Sequence, residues 1–173
     1  MNILSLCRIF FLVTVAFIIS CGSQRTFQAN PPTQVLAGYV IIEIPDFKTS
    51  LGYVPPDAVW RIPNEIATRL EREKLFTGVS RAPITINERV VILEGDIVEF
   101  KPTTWYEQLV RTVKIVANVR FIDKAENRVI AEATFEGTSK AGAVSGGVPF
   151  AYFRLVDEIV QYIKMNYASV SLR

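Results

Sequence analysis

Two segments, VRTVKIVANVRFI (110–122) and RVIAEATFEG (128–137), alternate apolar and polar residues, with the short stretch 123–127 between them. A period of two marks a strand with one packed face and one wet face, because successive Cβ atoms point to opposite sides. Val113, Ile115, Ala117, Val119 and Phe121 form one stripe, and Lys114, Asn118 and Arg120 lie opposite. In the second segment Val129, Ala131, Ala133 and Phe135 form the inward set. Setting Phe121 opposite Val129 places Asn118 against Glu132 and Lys114 against Glu136, a register that makes the outward charges complementary. A hairpin alone is marginal in water, so other parts of the chain must cover its apolar face.

The remaining patterns supply that cover. In ERVVILEGDIVEF (88–100), Val91, Leu93, Gly95 and Ile97 share a face; the apolar set then shifts to Val98 and Phe100, which predicts a bulge near Ile97. The run AGYVIIEIPDF (37–47) reads as a strand stopped by Pro45-Asp46. A helix is expected over Pro63–Leu75 with Ile62, Ile66, Leu70 and Lys74 along one face, after an irregular turn at Asp57–Arg61 and with Trp60 in the core. Leu75–Val79 leads through Ala82-Pro83 to a possible edge strand. Residues 139–149 form a small-residue loop. The last helix, 150–167, buries Phe153, Val156, Val160, Ile163 and Tyr167, with Leu155, Ile159 and Tyr162 widening the stripe. This order predicts an α+β domain: a mainly antiparallel sheet of four or five strands with two helices packed on one face.

Among 173 residues there is no histidine. A Ser-His-Asp triad, a Cys-His dyad and a histidine zinc site are therefore impossible within the chain. The charge balance, 19 basic against 17 acidic residues, lacks the footprint of a nucleic-acid binder. Three local patterns remain. Glu94, Asp96 and Glu99 are spaced for acid–base work or a divalent cation, or for ordinary sheet-surface charge. Gly137 and Gly142 have phosphate-loop spacing, but Ala143 and Val144 stand where that loop needs lysine and a hydroxyl. Trp105-Tyr106 lies in a connection between strands, suited to contacting a partner or to capping the sheet end. No cofactor or metal is called for, and no enzymatic activity is expected.

The N-terminus carries the most specific signal. Ile9–Ile19 is apolar except for Thr14, follows Arg8, and as a helix covers only about 16 Å, half of a bilayer core. That is the layout of an export signal. Ile18-Ile19-Ser20-Cys21 resembles a bacterial lipobox. The resemblance implies cleavage between Ser20 and Cys21, a diacylglycerol on the Cys21 sulfur, and an acylated (palmitate-type) amino terminus. The alternative is an uncleaved signal anchor with an idle cysteine. Gly22 is not an aspartate, which by the enterobacterial sorting rule favours the outer membrane over the inner. The domain plan is thus signal peptide 1–20, lipidated cysteine and flexible tether 21–36, and a single periplasmic domain 37–170. The two cysteines are Cys7 and Cys21, so the mature chain would have no internal disulfide.

The succession VIIEIPDF, a helix followed by phenylalanine and valine, VILEGDIVEF, a strand ending FID, and RVIAEATFEG resembles an uncharacterised bacterial lipoprotein family, a domain of unknown function. It is more distantly similar to the TolB N-terminal domain and the core of curli-secretion-type lipoproteins. Where that family has glycine in the turn, this chain has Asn127, which a left-handed position tolerates. The resemblance implies an envelope accessory protein that binds or helps assemble another envelope component. The alternative is a carrier of lipid or a small ligand in a cavity between the sheet and the last helix.

Replacing Cys21→Ser is expected to abolish incorporation of labelled palmitate and move the protein from the membrane pellet to the soluble fraction. Undiminished membrane retention would identify an uncleaved anchor instead.

Overall fold

The computed structural model describes residues 28–30, 36–86, 88–102, 111–141 and 147–168. The elements are β1 (Gln28–Asn30), β2 (Ile41–Glu43), α1 (Ala58–Glu73), β3 (Gly78–Ser80), β4 (Val90–Lys101), β5 (Arg111–Asp123), β6 (Arg128–Ala141) and α2 (Val148–Ala168). They form the predicted α+β fold, with one sheet in the order β1-β6-β5-β4-β2-β3. β4, β5, β6 and β1 are antiparallel neighbours, whereas β2 runs parallel to both β4 and β3. The parallel pair follows from the connection, since β2 and β3 are joined through helix α1.

The inward stripe of β5 is as expected: Val113, Ile115, Ala117, Val119 and Phe121 are buried. The bulge in β4 also falls where the pattern shift places it, between Ile97 and Glu99. Val98 is the extra residue and is exposed, while Phe100 returns to the core. The β5–β6 register differs from the expected one by two residues. Phe121 lies opposite Ala131, Asn118 opposite Thr134 and Lys114 opposite Thr138. One residue of this difference is set at the turn, where Asp123 pairs with Arg128, and a second bulge adds the other. Phe121 pairs with Ala131 and Ile122 with Val129, so Ile130 is the surplus residue. It turns inward at 7% exposure, and Val129, expected inside, is 46% exposed. Asn127 takes the left-handed conformation at φ 49°.

β6 runs four residues beyond its expected end, to Ala141, because β5 starts at Arg111 and offers partners that far. Gly137 is therefore a strand residue and not part of a phosphate loop. A Cβ there would lie 2.1 Å from the Ala151 carbonyl oxygen and 2.7 Å from the Leu155 nitrogen. The backbone of α2 thus rests directly on β6. Leu155, Ile159, Tyr162 and Ile163 are buried against the sheet, and the Tyr162 ring stacks on Phe121 and meets Phe135 edge-on. Phe153, expected in this stripe, is 53% exposed; the Arg69 guanidinium lies 4.2 Å from its ring centroid.

Helix α1 begins five residues before Pro63, so Pro63 lies inside it. A proline at this place cannot donate to the carbonyl of Val59. That carbonyl instead accepts the N–H of Phe47 at 2.8 Å. The regular helical start also corrects the expectation for Trp60. It is about 200° around the helix from Ile62, and is 52% exposed. Phe47 in turn covers Gly95, where a Cβ would be 2.5 Å from its ring. The following residue, Lys48, donates its N–H to Gly95 and accepts that of Ile97, each at 2.8 Å.

Gln28–Asn30 falls within the segment expected to be tether. It forms β1 instead, opposite Glu132–Thr134.

Gly137→Val is expected to lower the urea midpoint by an amount equivalent to about 1–3 kcal/mol, the usual cost of overpacking. Gly52→Val, in open space among the described residues, provides the comparison and should cost much less.

Candidate functional site

The helices cover one face of the sheet. The other face, uncovered among the described residues, is built from the outward positions of β4, β5 and β6. Cross-strand register assembles them in rows: Glu94 beside Arg120 and Glu132, then Asp96 beside Asn118 and Thr134, then Glu99 beside Val116 and Glu136. Each strand contributes every second residue, and neighbouring strands bring these within contact distance.

Two charge clusters result. In the first, Arg120 Nη2 lies 2.8 Å from Glu94 Oε2 and Lys48 Nζ lies 3.9 Å from Glu94 Oε1. In the second, Glu99 pairs with Lys101 at 2.7 Å and Lys114 at 3.4 Å, and Lys114 also reaches Glu136 at 3.0 Å. The Lys101 ammonium, hydrogen-bonded to Glu99 and aided by Lys114, holds the Glu99 carboxyl below its ordinary range despite some desolvation. The Glu136 carboxylate raises the Lys114 ammonium above its ordinary value. Between the clusters, Thr134 donates to Asn118 Oδ1 at 2.8 Å.

A depression of about 220 Å³ opens here, lined by Lys48, Glu94, Gly95, Asp96, Asn118, Arg120 and Glu132. Asp96 and Glu132 have no ion-pair partner among the described residues. The expected carboxylates Glu94 and Asp96 do share this face, and Glu99 joins them beyond the bulge. Their arrangement suits recognition of a polar surface. Among the described residues no three acids converge as a metal-binding group. Lys48 was invisible as a site residue in the sequence, because only the parallel bridge of its loop to Asp96 brings it here. Arg120 was legible as an outward residue, but its pairing with Glu94 needed the β4–β5 register. The other proposed positions, Ser20, Cys21, Trp105 and Tyr106, lie outside the described residues.

No family model matches the sequence, and no curated protein is significantly similar to it. Its fold is similar to that of PelC from Paraburkholderia phytofirmans, solved as a dodecamer, at TM-score 0.58 and 17% identity over 79% of this chain and 96% of that one. Protein CT253 from Chlamydia trachomatis matches at TM-score 0.56 and 13% identity, over 76% of this chain and 99% of that one. XCC0632 from Xanthomonas campestris, of the DUF330 family, matches at TM-score 0.50 and 12% identity, over 82% and 85%. At such identities the likeness is one of fold.

The pH dependence of the second cluster can be measured. Glu99 has a folded-state pKa below its unfolded value of about 4.3. Its stabilising contribution is complete above that value and is lost as pH falls through the folded pKa. The cluster is partly exposed and screened, so Glu99→Gln is expected to cost about 0.5 kcal/mol at pH 7. Urea unfolding should show this difference at neutral pH and its disappearance near the acid limit.

Proposed function

We propose that this chain is a lipid-anchored protein of the cell envelope, held on the outer membrane by Cys21 and facing the periplasm. In this reading it is a non-enzymatic binding or assembly domain, and its uncovered sheet face is the contact surface. The supporting observation is the charged depression around Arg120, where Asp96 and Glu132 have no ion-pair partner among the described residues. Trp105 and Tyr106 are proposed as additional aromatic contacts.

The packing of α2 weighs against the carrier alternative. A carrier needs space between the sheet and this helix, but at Gly137 the helix backbone touches the strand and the ring of Tyr162 fills the next layer. The first partner to test is a second copy of the chain, because the similar fold of PelC was solved as a dodecamer.

Crosslinking co-purification from native membranes tests the proposal with wild type, an Asp96→Lys/Glu132→Lys variant and a Trp105→Ala/Tyr106→Ala variant. Wild type is expected to capture one stoichiometric envelope protein or further copies of itself. The charge-reversed variant should lose that capture at least tenfold while its circular dichroism spectrum is retained. Equal capture by wild type and the charge-reversed variant would remove the sheet face from the proposal, and no specific capture by any form would overturn the binding role.

A further inference from the structure

One end of the domain is set apart by direction and exposed aromatic surface. β1 runs antiparallel to β6, with Gln28 opposite Thr134 and Asn30 opposite Glu132. The N-terminal end of β1 therefore points toward the high-numbered end of β6. Six residues separate Cys21 from Gln28, and whatever their conformation the seven steps along the chain span at most about 25 Å. Thr134 to Ala141 covers about 23 Å along β6. A lipid on Cys21 therefore lies within about 25 Å of Gln28, a distance that takes in the end of the sheet carrying Ala141. A membrane holding that lipid must lie against the domain, not stand well clear of it.

The same end carries the start of α2. Gly147 donates its N–H to Ser139 Oγ at 3.2 Å, which fixes the helix start level with the last rows of β6. Phe150 and Phe153, in the first turns, are each 53% exposed, and Arg154 beside them is also exposed. In the terminal rows of the open face, Lys101 is opposite Lys114. Lys101 and Lys114 are ion-paired with Glu99 and Glu136, so these rows balance in charge, and the exposed base beside the two rings is Arg154. The other end of the sheet also mixes signs, with Glu88 near Arg89 and Glu126 paired to Arg128 at 2.9 Å. Exposed aromatic side chains beside a base match the lipid interface, where rings enter the headgroup boundary and cations meet anionic lipids.

We infer that this end of the domain rests on the bilayer, with Phe150 and Phe153 dipping into the lipid interface and Arg154 beside them meeting anionic headgroups. The inference rests on the lipid-anchor reading of Cys21. It also sets the orientation of the contact face: the sheet stands upright on the membrane, and its outer face looks sideways along the surface.

The test uses the full lipidated chain reconstituted in vesicles of phosphatidylethanolamine and phosphatidylglycerol with brominated acyl chains. Phe150→Trp places a reporter at the proposed contact, and Glu126→Trp places one in the far turn. Native tryptophan emission is removed by subtracting the wild-type signal. Rings seated about 5–10 Å into the interface lie near the bromines, so the reporter at 150 is expected to lose roughly half its emission while the reporter at 126 is unchanged. Equal absence of quenching in vesicle-bound protein of lipidated mass would overturn the inference and leave the anchor intact. Equal quenching at both positions would overturn it by showing the domain lying flat. A blue-shifted but unquenched signal at 150 would overturn it by showing protein covering the patch. An unmodified Cys21 by mass spectrometry would overturn the anchor reading and this inference with it.

Discussion

The missing side chain at Gly137 is the constraint on which the arrangement of layers depends. It allows the Ala151–Leu155 turn of α2 to lie on β6 at backbone contact. With the helix that close, the ring of Tyr162 reaches both Phe121 and Phe135. Farther along, Tyr167 meets Phe76 edge-on at 4.9 Å and donates its hydroxyl to the Tyr39 carbonyl at 3.2 Å. One helix thereby ties together β6, β5 and the chain on either side of α1. The same seating holds the start of α2 at the rim of the sheet, which is why Phe150 is presented at that end.

The second fixing point is at the opposite side of the sheet. Pro63 withholds a hydrogen bond from Val59, and the freed carbonyl captures Phe47. Phe47 then fills the space over Gly95, and its neighbour Lys48 continues the ladder of β4. Arg81 secures this region from β3 by donating to the Ile44 carbonyl and to Asp46. Near the far turn, Glu43 is 7% exposed and meets Lys124 Nζ at 2.6 Å; Lys124 also donates to the Ile84 carbonyl at 2.6 Å. A buried ion pair of this kind stabilises less than its Coulomb energy suggests, but removing either partner leaves a costly unpaired charge. It therefore fixes the pairing of distant segments more than it adds to net stability.

Among the described residues, one face of the sheet is closed by helices and the other is open. The open face presents charged groups in fixed rows, since bulges and ion pairs set their spacing. In the proposed binding role, such a surface would work by charge placement and not through a deep cavity. If the chain is anchored at Cys21, the short six-residue path to β1 also limits how far the open face can stand from the membrane.

Much of the fold was legible in the sequence, and the failures share a cause. Alternation identified the inward faces of β4 and β5, and the shift of the apolar set located the bulge at Val98. Val129 and Ile130 exchanged expected places because a bulge in β6 inserts one residue, with no compositional mark to show it. Trp60 and Phe153 looked like core residues because size and periodicity cannot tell which flank of a helix has a neighbour. The carboxylates of the open face were visible as a group, but Lys48 joined them through a pairing between distant segments. By itself, the sequence determined the α+β class and the side of each long strand that faces the core, because a period of two depends only on local backbone geometry. It left the register open, since a slip of two residues preserves both faces. Only tertiary contacts decided which residues meet: one surplus residue in β6, one missing side chain at Gly137, and one carbonyl at Val59 that Pro63 leaves free to accept Phe47.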